Sequence, residues 1–442
     1  VIYQPEFNEN ITITGSKNKN IKFYTMPRDP NFEKGILNDA KNFEKLKAEK
    51  FDLGITELFE SCGYGVLKKI GLNKYITTYS SSVFPSSVGL LGVKAHPSYL
   101  PGVMGTTTDQ MNFPQRIWNF IYYFIESYMI KSMFNSGSEK AIVKHFPDFS
   151  MDDAVADSAF YFVNSDEHVD FAQPITHKII YMAGLGKIQS LPLEKKYNDI
   201  FDSAKKGVIL FSFGSVAQSY RMKAETKKAF LEAFSEFPDI NFLWKYEKDE
   251  DQIAKGYSNV FTGKWLPQND ILDHPKLLAF ISHGGMNSVM EGAAKGVPMI
   301  CVPLFADQKR NSLMLQRRGM AIKLEKTALT KENIVEKIKE IITNEKYLKN
   351  AKLLSKMIAA KPTKPEERVV KYAEFAAQFG DTGTLQIEGR HQSFIVLYSL
   401  DVITFLVTVI VLIIGILIWG VKKALNFLKR KLLVNDRKKK KN

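Results

Sequence analysis

Residues 265–308 read WLPQNDILDHPKLLAFISHGGMNSVMEGAAKGVPMICVPLFADQ, and their pattern is the most informative of the chain. The apolar run at 277–282 predicts a buried strand, and the glycines within 283–285 predict a turn after it. A helix is predicted over 287–295, and a second apolar strand over 297–302. Apolar strands that alternate with helices are typical of a parallel sheet covered by helices on both faces.

The same alternation continues towards the N-terminus. Residues 207–213 and 241–246 predict two further strands of this sheet. Residues 51–56, 75–80 and 158–164 predict a second, rougher set of strands in the first half of the chain. We therefore expect an α/β protein with two doubly wound, Rossmann-like domains that face a cleft.

The turn after the central strand has the composition of an anion site. The start of a helix offers free N–H groups and the positive end of its dipole, and Gly284 and Gly285 let the backbone approach a diphosphate. Asn287 and Ser288 can cap the helix or donate to phosphate oxygens, and His283 adds another donor. The pattern is neither a Walker A loop nor GxGxxG, and on its own it is equally consistent with an ordinary capped helix.

The flanks of this turn favour a nucleotide-sugar. Trp265 lies in a turn-rich stretch where an indole can stack on a flat base. Glu291 lies one turn into the helix, where a carboxylate can accept hydrogen bonds from ribose hydroxyls. Asp307 and Gln308 follow a strand end and suit the hydroxyls of a sugar. Together these residues predict a pocket for a nucleotide-sugar.

Charge and composition exclude several classes of protein. The 442 residues carry a net charge of +14, but residues 422–442 hold ten Lys and Arg against Asp436 alone, which leaves only +5 on the rest of the chain. That is too little for a surface that follows nucleic-acid phosphates, so no nucleic-acid partner is expected. The two cysteines, Cys62 and Cys301, exclude a disulfide scaffold and a cysteine-built zinc site.

Residues 402–421 form an uncharged apolar stretch long enough to cross a bilayer as a helix. Since the basic tail follows this stretch, the positive-inside rule predicts a cytosolic tail and a lumenal body. The sequon at Asn10 agrees with a lumenal body, and the lysines at 439, 440 and 441 resemble the retrieval signal of endoplasmic-reticulum membrane proteins. The alternative for these lysines is a polybasic flank that binds anionic lipid.

The whole chain resembles the UDP-glycosyltransferases, specifically the membrane-bound animal family that includes the UDP-glucuronosyltransferases. Beyond 265–308, the resemblance rests on these features: FSFGS at 211–215, FDLGITE at 51–57 with Cys62 and Gly63 after it, prolines 362 and 365, the single span and the lysine tail. The resemblance implies the glycosyltransferase B (GT-B) fold, with the donor on the C-terminal domain and the acceptor on the N-terminal domain. It also implies that neither a metal nor a cofactor is needed, the UDP-sugar being the donor substrate.

The resemblance implies a role for each residue of the motif. Trp265 stacks on uracil, Gln268 helps to hold the uridine, and Glu291 binds the ribose. Asp307 and Gln308 bind the transferred sugar. The remaining members of the set contact the diphosphate: Gly214, Ser215, His283, Gly285, Asn287 and Ser288.

The catalytic pair of the family is a His that takes the acceptor's proton and a downstream acid that orients this His. Where most members have Asp, this chain has Glu57, whose carboxylate reaches one methylene further. The alternative for Glu57 is a solvated acid at a strand end. None of the seven His residues fits the pattern, and we expect the catalytic His and the first strand–helix unit to precede Val1.

The predicted domain layout follows from these features. Its parts are 1–195 for the acceptor domain, 196–380 for the donor domain, 381–401 for a juxtamembrane segment, 402–421 for the membrane helix and 422–442 for the tail. The aromatic stretch 112–134 is predicted to be a core or inter-domain helix, an interfacial helix at the bilayer, or a wall of an apolar acceptor pocket.

We expect an enzyme of the endoplasmic reticulum that transfers a sugar with inversion, glucuronic acid before glucose, from a UDP-sugar to hydroxyls of small lipophilic molecules. A second hypothesis is a non-catalytic UDP-sugar-binding relative that modulates partner enzymes by forming homo- or heterodimers. A third, a single-pass receptor with a dehydrogenase-like domain, is disfavoured because GxGxxG is absent.

Overall fold

The computed structural model describes residues 2–5, 20–26, 37, 39–59, 62–94, 96–136, 138–185 and 190–439. The sequon at Asn10 and the lysines at 440 and 441 lie outside these residues. By their internal contacts, residues 1–386 form one compact unit and residues 387–442 a second. Both predicted α/β halves belong to the first unit, and the boundary between residues 195 and 196 stays a prediction.

The elements of the first half are β1 (Ile2–Pro5), β2 (Phe23–Met26), α1 (Ala40–Ala48), β3 (Gly54–Glu57), α2 (Cys62–Ile70), β4 (Tyr75–Tyr79), α3 (Pro85–Gly89), α4 (Phe113–Ser136), α5 (Ser138–Val143), α6 (Met151–Ala156), β5 (Tyr161–Val163), β6 (Ile179–Tyr181) and α7 (Lys195–Ser203).

The elements that follow are β7 (Gly207–Ser212), α8 (Ala224–Ser235), β8 (Ile240–Lys245), β9 (Val260–Gly263), α9 (Gln268–Leu272), β10 (Leu277–Ser282), α10 (Met286–Lys295), β11 (Met299–Cys301), α11 (Gln308–Arg317), β12 (Ala321–Lys323), α12 (Lys331–Thr343), α13 (Glu345–Ala359), α14 (Pro365–Phe379), α15 (Phe394–Leu397) and α16 (Leu400–Lys439).

The strands form parallel sheets, as predicted. One six-stranded sheet has the order β12-β11-β10-β7-β8-β9, a four-stranded sheet has the order β3-β4-β5-β6, and β1 pairs with β2. Every pairing among these strands is parallel. Helices connect most of the successive strands, which is the connection that parallel pairing requires.

The six-stranded sheet is buried on both faces because its central strands are apolar throughout. In β7, Val208 and Leu210 point into one hydrophobic core, and Ile209 and Phe211 point into the core on the opposite face. This follows from the two-residue period of a strand, in which successive side chains leave opposite faces. A strand without a solvent face reads as a continuous apolar run, which is why the sequence predicts it.

The register of the sheet brings three functional loops to one edge. Ser212 at the end of β7 lies opposite Ser282 at the end of β10, and Ser282 lies opposite Cys301 at the end of β11. The segments that follow these three strands therefore leave the sheet side by side. Ligand sites of open α/β sheets form at this carboxyl edge.

The four-stranded sheet is covered on one face by a helix from the far end of the unit. Ala376 of α14 packs against Ile76 and Phe160 of the sheet core. Lys74 Nζ donates to the carbonyl oxygens of Ala377 and Gln378, both at 2.9 Å, which caps the end of α14. The chain thus returns to the four-stranded sheet after it has completed the six-stranded sheet.

The smaller unit contains the helix α16. Its part Leu400–Lys431 is the one helix among the described residues that is long and apolar enough to cross a membrane, and an 18-residue window within it has a mean hydropathy of 3.1. The predicted span 402–421 lies within it.

Candidate functional site

A cleft of about 1300 Å³ opens where the carboxyl edges of the two larger sheets meet. Ten of the predicted donor-site residues line it: Gly214, Ser215, Trp265, Gln268, His283, Gly285, Asn287, Ser288, Glu291 and Asp307. Gln308 and Glu57 are not among the lining residues. One cavity therefore collects side chains from the ends of β7 and β10, from α9 and α10, and from the loop after β11.

Two matching turns shape the floor of the cleft. Gly214 after β7 has a φ of 79°, and Gly284 after β10 has a φ of 81°. Each glycine N–H donates to the last serine of its strand, Ser212 or Ser282, at 3.2 Å. A side chain at either glycine would be strained, because this left-handed region penalises a Cβ atom.

His283 lies between two backbone segments at the bottom of the cleft. A Cβ atom added to Gly285 would lie 2.4 Å from its Nε2, and one added to Gly214 would lie 2.9 Å from its Cε1. Burial lowers the pKa of His283 to about 4, although Asp307 opposes this shift. Within the described ranges, the buried Nδ1 of His283 has no hydrogen-bond partner. The imidazole is therefore neutral at pH 7 and has spare capacity for a ligand.

The start of α10 is open towards the cleft. Gly285 is the N-cap residue, and no side chain caps the helix. Asn287 is exposed and Ser288 is buried, and both line the cavity. Since an uncapped N-terminus presents unsatisfied N–H groups and the positive end of the helix dipole, this position suits a diphosphate.

The outer end of the cleft offers a flat aromatic surface. The Trp265 side chain is 74% exposed, and Lys245 Nζ lies 5.9 Å from its ring centroid. Gln268 Nε2 donates to Glu291 Oε2 at 2.5 Å. Burial raises the pKa of Glu291, and the hydrogen bond from Gln268 opposes this effect. The arrangement can receive a base on the indole and ribose hydroxyls at the carboxylate.

The loop after β11 presents an acid to the cleft. Asp307 Oδ2 accepts hydrogen bonds from Ser81 Oγ at 2.5 Å and Asn311 Nδ2 at 2.9 Å. Gln308 differs from the predicted arrangement, since it is buried and its Oε1 accepts from the backbone N–H groups of Leu304 and Phe305. In this structure Gln308 shapes the loop, and its sugar-binding role stays a prediction.

Glu57 lies at the end of β3, beside the cleft. Its carboxylate accepts hydrogen bonds from Thr78 Oγ1 at 3.0 Å, from Ser80 Oγ at 2.8 Å and from the Ser80 N–H at 3.2 Å. Among the described residues, no His hydrogen-bonds to Glu57. Ser80, which donates a hydrogen bond to Glu57, lines the cleft. Glu57 therefore lies next to the cavity.

The first half of the chain supplies a largely apolar wall. The lining side chains on this side include Phe59, Phe84, Val103, Met104, Tyr122, Glu126, Met129 and Ile130. Glu126 is the acid in this wall, and it accepts from Ser86 Oγ at 2.8 Å and the Val103 N–H at 2.7 Å. Burial raises its pKa. Such a wall suits an apolar molecule with a few polar groups.

Sequence reasoning missed several polar contacts of the cleft. Besides Ser81, Asn164 Nδ2 donates to Asn287 Oδ1 at 2.7 Å. Lys245 Nζ at the end of β8 donates to the Gly214 carbonyl at 2.9 Å. The positions of these residues could have indicated the contacts. Asn164 directly follows β5 and Lys245 is the last residue of β8, and the carboxyl ends of both strands face the cleft.

A buried ion pair joins the two halves next to the cleft. Arg310 Nη2 lies 2.9 Å from Asp170 Oδ1, and the two side chains are 0% and 1% exposed. The guanidinium also donates to Ser82 Oγ, at 2.5 Å, and to the carbonyls of Val83 and Pro101. Because Arg310 is on α11, the helix that begins directly after Asp307, this pair fixes that helix to the first half of the chain.

Acidic, His and Cys side chains do not gather into a metal site in the part of the chain that the structure describes, where no group of three or more could hold an ion. The polar side chains that face the cleft instead carry amide, hydroxyl, imidazole and isolated carboxyl groups and the ammonium group of Lys245.

Comparison with known proteins identifies the family. The sequence model of the family described as "UDP-glucoronosyl and UDP-glucosyl transferase" matches residues 7–440. The chain belongs to the UDP-glycosyltransferase family. This agrees with the resemblance drawn from the motif of 265–308.

Relatives of the chain occur in several animals. The chain is 32% identical over 368 residues to a putative UDP-glucuronosyltransferase of Caenorhabditis briggsae. The aligned part covers 82% of this chain and 68% of the relative. The chain is 32% identical over 381 residues to UDP-glucuronosyltransferase 3A1 of Bos taurus, covering 85% and 71%. UDP-glucosyltransferase 2 of Dactylopius coccus is also 32% identical, over 365 residues, covering 82% and 70%.

Solved structures confirm the predicted GT-B fold of the chain. LpCGTa, solved in complex with UDP, matches with a TM-score of 0.56 at 17% identity, and the match covers 85% of this chain and 91% of LpCGTa. Os79 from O. sativa, also in complex with UDP, matches with a TM-score of 0.55 at 18% identity and covers 80% and 85%.

Proposed function

We propose that this protein transfers a sugar with inversion from a UDP-sugar to hydroxyl groups of small lipophilic acceptors. The observation that carries the proposal is a cleft in the described part of the chain that is lined by an exposed indole, an uncapped helix start and Asp307 together. Those groups suit a base, a diphosphate and a sugar in that order. The apolar wall on the opposite side suits the acceptor.

The donor half of the cleft supplies the groups that a departing diphosphate needs. The free N–H groups at the start of α10 and the neutral His283 can donate to phosphate oxygens as negative charge develops there. Trp265 and Glu291 hold the nucleoside, and Asp307 orients the sugar hydroxyls. These contacts stabilise the leaving group without a metal ion.

The transfer itself forms one bond and breaks one. The acceptor oxygen attacks C1 of the sugar from the face opposite UDP, and the bond from C1 to the UDP oxygen breaks with its electron pair on UDP. The acceptor's proton must go to a base. By the family pattern this base is a His oriented by an acid, and we propose Glu57 as that acid because Thr78 and Ser80 hold its carboxylate in place.

The donor sugar is proposed on family grounds. Two of the relatives above are named glucuronosyltransferases and one a glucosyltransferase, so we favour glucuronic acid and keep glucose as the second choice. The acceptor class rests on the apolar wall around Phe84, Tyr122 and Met129. Of the partners proposed, the UDP-sugar and the acceptor are supported by the groups that line the cleft, and dimerisation with related enzymes remains a prediction.

A second candidate is a non-catalytic UDP-sugar-binding relative. The observation that favours it is the environment of Glu57, whose described hydrogen bonds go to Thr78 and Ser80 and not to a His. Such a protein would bind the donor without transferring the sugar.

We further propose that α16 crosses the membrane of the endoplasmic reticulum, with the larger unit in the lumen and the basic tail in the cytosol. The apolar helix Leu400–Lys431 and the basic residues after the apolar stretch support this orientation.

The test combines binding with transfer. Full-length protein in detergent is titrated with UDP by calorimetry, and then incubated with UDP-glucuronate or UDP-glucose and a panel of phenols. We expect Trp265→Ala to weaken UDP binding by roughly 1–3 kcal/mol, by analogy with stacking of bases on aromatic side chains. Leu348→Ala, which truncates an exposed apolar side chain of α13 outside the cleft, should leave UDP affinity unchanged.

The outcomes separate the two candidates. UDP binding with conjugated phenol products supports the transferase, and UDP binding without any product supports the non-catalytic relative. Equal affinities of the wild type and Trp265→Ala would remove the indole from the donor site.

A further inference from the structure

Glu126 is a buried acid in the apolar wall of the cleft. It lies near the middle of α4 (Phe113–Ser136), is 3% exposed and lines the cavity together with Phe84, Val103 and Met129. Acidic side chains are almost never buried without a partner, because removing a charge from water is costly. A buried carboxylate in a ligand cavity therefore needs a reason beyond packing.

The carboxylate of Glu126 makes two hydrogen bonds, and both donors are neutral. Its Oε1 accepts from Ser86 Oγ at 2.8 Å, and its Oε2 accepts from the Val103 N–H at 2.7 Å. Among the described residues Glu126 forms no ion pair. The charge of Arg310 acts on it through space, but this guanidinium is paired with Asp170. Since a carboxylate can accept about four hydrogen bonds, about two of its acceptor positions have no described donor.

Three segments hold this carboxylate in one place. Ser86 belongs to α3, Val103 to the loop between α3 and α4, and Glu126 to α4. The carboxylate also packs closely against the backbone of Gly102, since a Cβ atom added there would lie 2.9 Å from its Cδ and closer still to its Oε2. Burial raises the pKa of Glu126, while the hydrogen bonds from Ser86 and Val103 oppose this shift. A fixed acid of this kind in a cleft is a candidate for ligand recognition.

Fastening α4 to the neighbouring loop does not require a charge. The amide of the variant Glu126→Gln could accept from the Val103 N–H with its oxygen and donate to Ser86 Oγ with its nitrogen. It would make both contacts without the cost of burying a carboxylate. The charge of Glu126 therefore points to a donor group that a ligand supplies.

We propose that Glu126 is a recognition point of the acceptor pocket. Its carboxylate accepts a hydrogen bond from a hydroxyl or ammonium group of the acceptor that is remote from the hydroxyl receiving the sugar. This deepens the proposed function and rests on it, because it takes the apolar wall as the acceptor site. The pocket then selects apolar molecules that carry a second donor group. Acceptors without such a group leave the open acceptor positions of the carboxylate unpaired and bind more weakly.

The test compares acceptors that differ only in their remote group. Full-length protein in detergent is titrated by calorimetry, with and without UDP, with para-(hydroxymethyl)phenol, para-(aminomethyl)phenol and para-(methoxymethyl)phenol. The remote hydroxyl and ammonium groups can donate a hydrogen bond, whereas the methoxy group can only accept one. The biphenyl counterparts of these compounds place the remote group further from the phenol.

Glu126→Gln is the informative variant, and Asp152→Asn is its matched control. The control makes the same change from carboxylate to amide at a partly exposed acid that pairs with Lys131 and does not line the cleft. Gly102→Ala serves as a second variant if Glu126→Gln does not fold. Its Cβ atom would displace the Glu126 carboxylate without altering the chemistry of that group.

We expect the wild type to bind the hydroxymethyl and aminomethyl compounds about tenfold or more tighter than the methoxymethyl compound, in the phenol or the biphenyl series. This is the gain that a hydrogen bond to a charged group provides. Glu126→Gln or Gly102→Ala should remove most of this preference, and Asp152→Asn should keep it. Equal affinities within both series, no binding of any compound, or a preference that survives in Glu126→Gln would overturn the proposal.

Sugar transfer is measured separately on the same samples. Conjugated products formed from UDP-glucuronate or UDP-glucose report on the proposed function. Their absence, together with phenol affinities that follow the prediction, would refute the transfer and leave Glu126 as the recognition point of a binding site.

Discussion

The buried pair between Arg310 and Asp170 allows a quantitative prediction. The change Asp170→Leu leaves the Arg310 guanidinium, which is fully buried, without its counter-charge. Its remaining hydrogen-bond partners are neutral, namely oxygens of Ser82, Val83 and Pro101 and the sulfur of Met314. Breaking a buried pair in this way typically costs about 3–5 kcal/mol, because an uncompensated charge stays in the interior. We expect the free energy of unfolding to fall by that amount.

The assay is urea unfolding of the detergent-solubilised full chain, followed by tryptophan fluorescence. The matched control is Asp199→Ala, which removes one partner of the exposed pair Lys195–Asp199 and should change the free energy of unfolding by less than about 1 kcal/mol. The double variant Arg310→Met/Asp170→Leu should recover most of the loss, since it removes both charges. If Asp170→Leu were no more destabilising than Asp199→Ala, the reasoning would be refuted.

Three further variants test other parts of the site. The pKa of His283 is about 4 in the native cleft and ordinarily about 6.5, so the unfolded chain binds the proton first. Stability should therefore fall by up to about 3 kcal/mol as the pH drops from 6.5 to 4, and urea midpoints of His283→Gln should lack this component. Gly284→Ala places a Cβ atom 2.7 Å from Ser312 Oγ at a φ of 81°. This should lower the free energy of unfolding by at least about 1–2 kcal/mol in the same urea assay. An unfolding midpoint equal to that of the wild type would contradict this prediction. Gln308→Ala removes the acceptor of two loop N–H groups, those of Leu304 and Phe305, and should cost about 0.5–1.5 kcal/mol for each hydrogen bond lost without weakening the binding of a UDP-sugar in calorimetry. Weaker binding of the UDP-sugar at unchanged stability would point to a direct ligand contact instead.

The sequence predicted the donor half of the cleft well because its signals are local. The strand predicted at 277–282 is β10 with the same bounds, and the helix predicted at 287–295 begins one residue earlier. The three-residue strands β6 and β12 were not predicted, although β5 and β11, which are equally short, lie within the predicted strands 158–164 and 297–302. Gln308 shows another limit, since its orientation depends on which backbone groups the loop leaves unpaired.

The partners across the cleft were not predicted, and the reason is their separation along the chain. Ser81 contacts Asp307 across 226 residues, and Asn164 contacts Asn287 across 123. A spacing pattern in one sequence carries no information about such pairs. The aromatic stretch 112–134 had three interpretations, and the structure shows that α4 forms part of the cleft wall while a second face is exposed.

The packing of α14 against the four-stranded sheet affects how this protein can be divided into fragments. A fragment that ends near residue 195 would lack Ala376. Phe160 and Ile76 would then be exposed to solvent and would favour aggregation. The two halves are therefore better separated by nicking the chain between them and keeping both pieces together. A split protein of this kind should reassemble only when the C-terminal piece includes Pro365–Phe379.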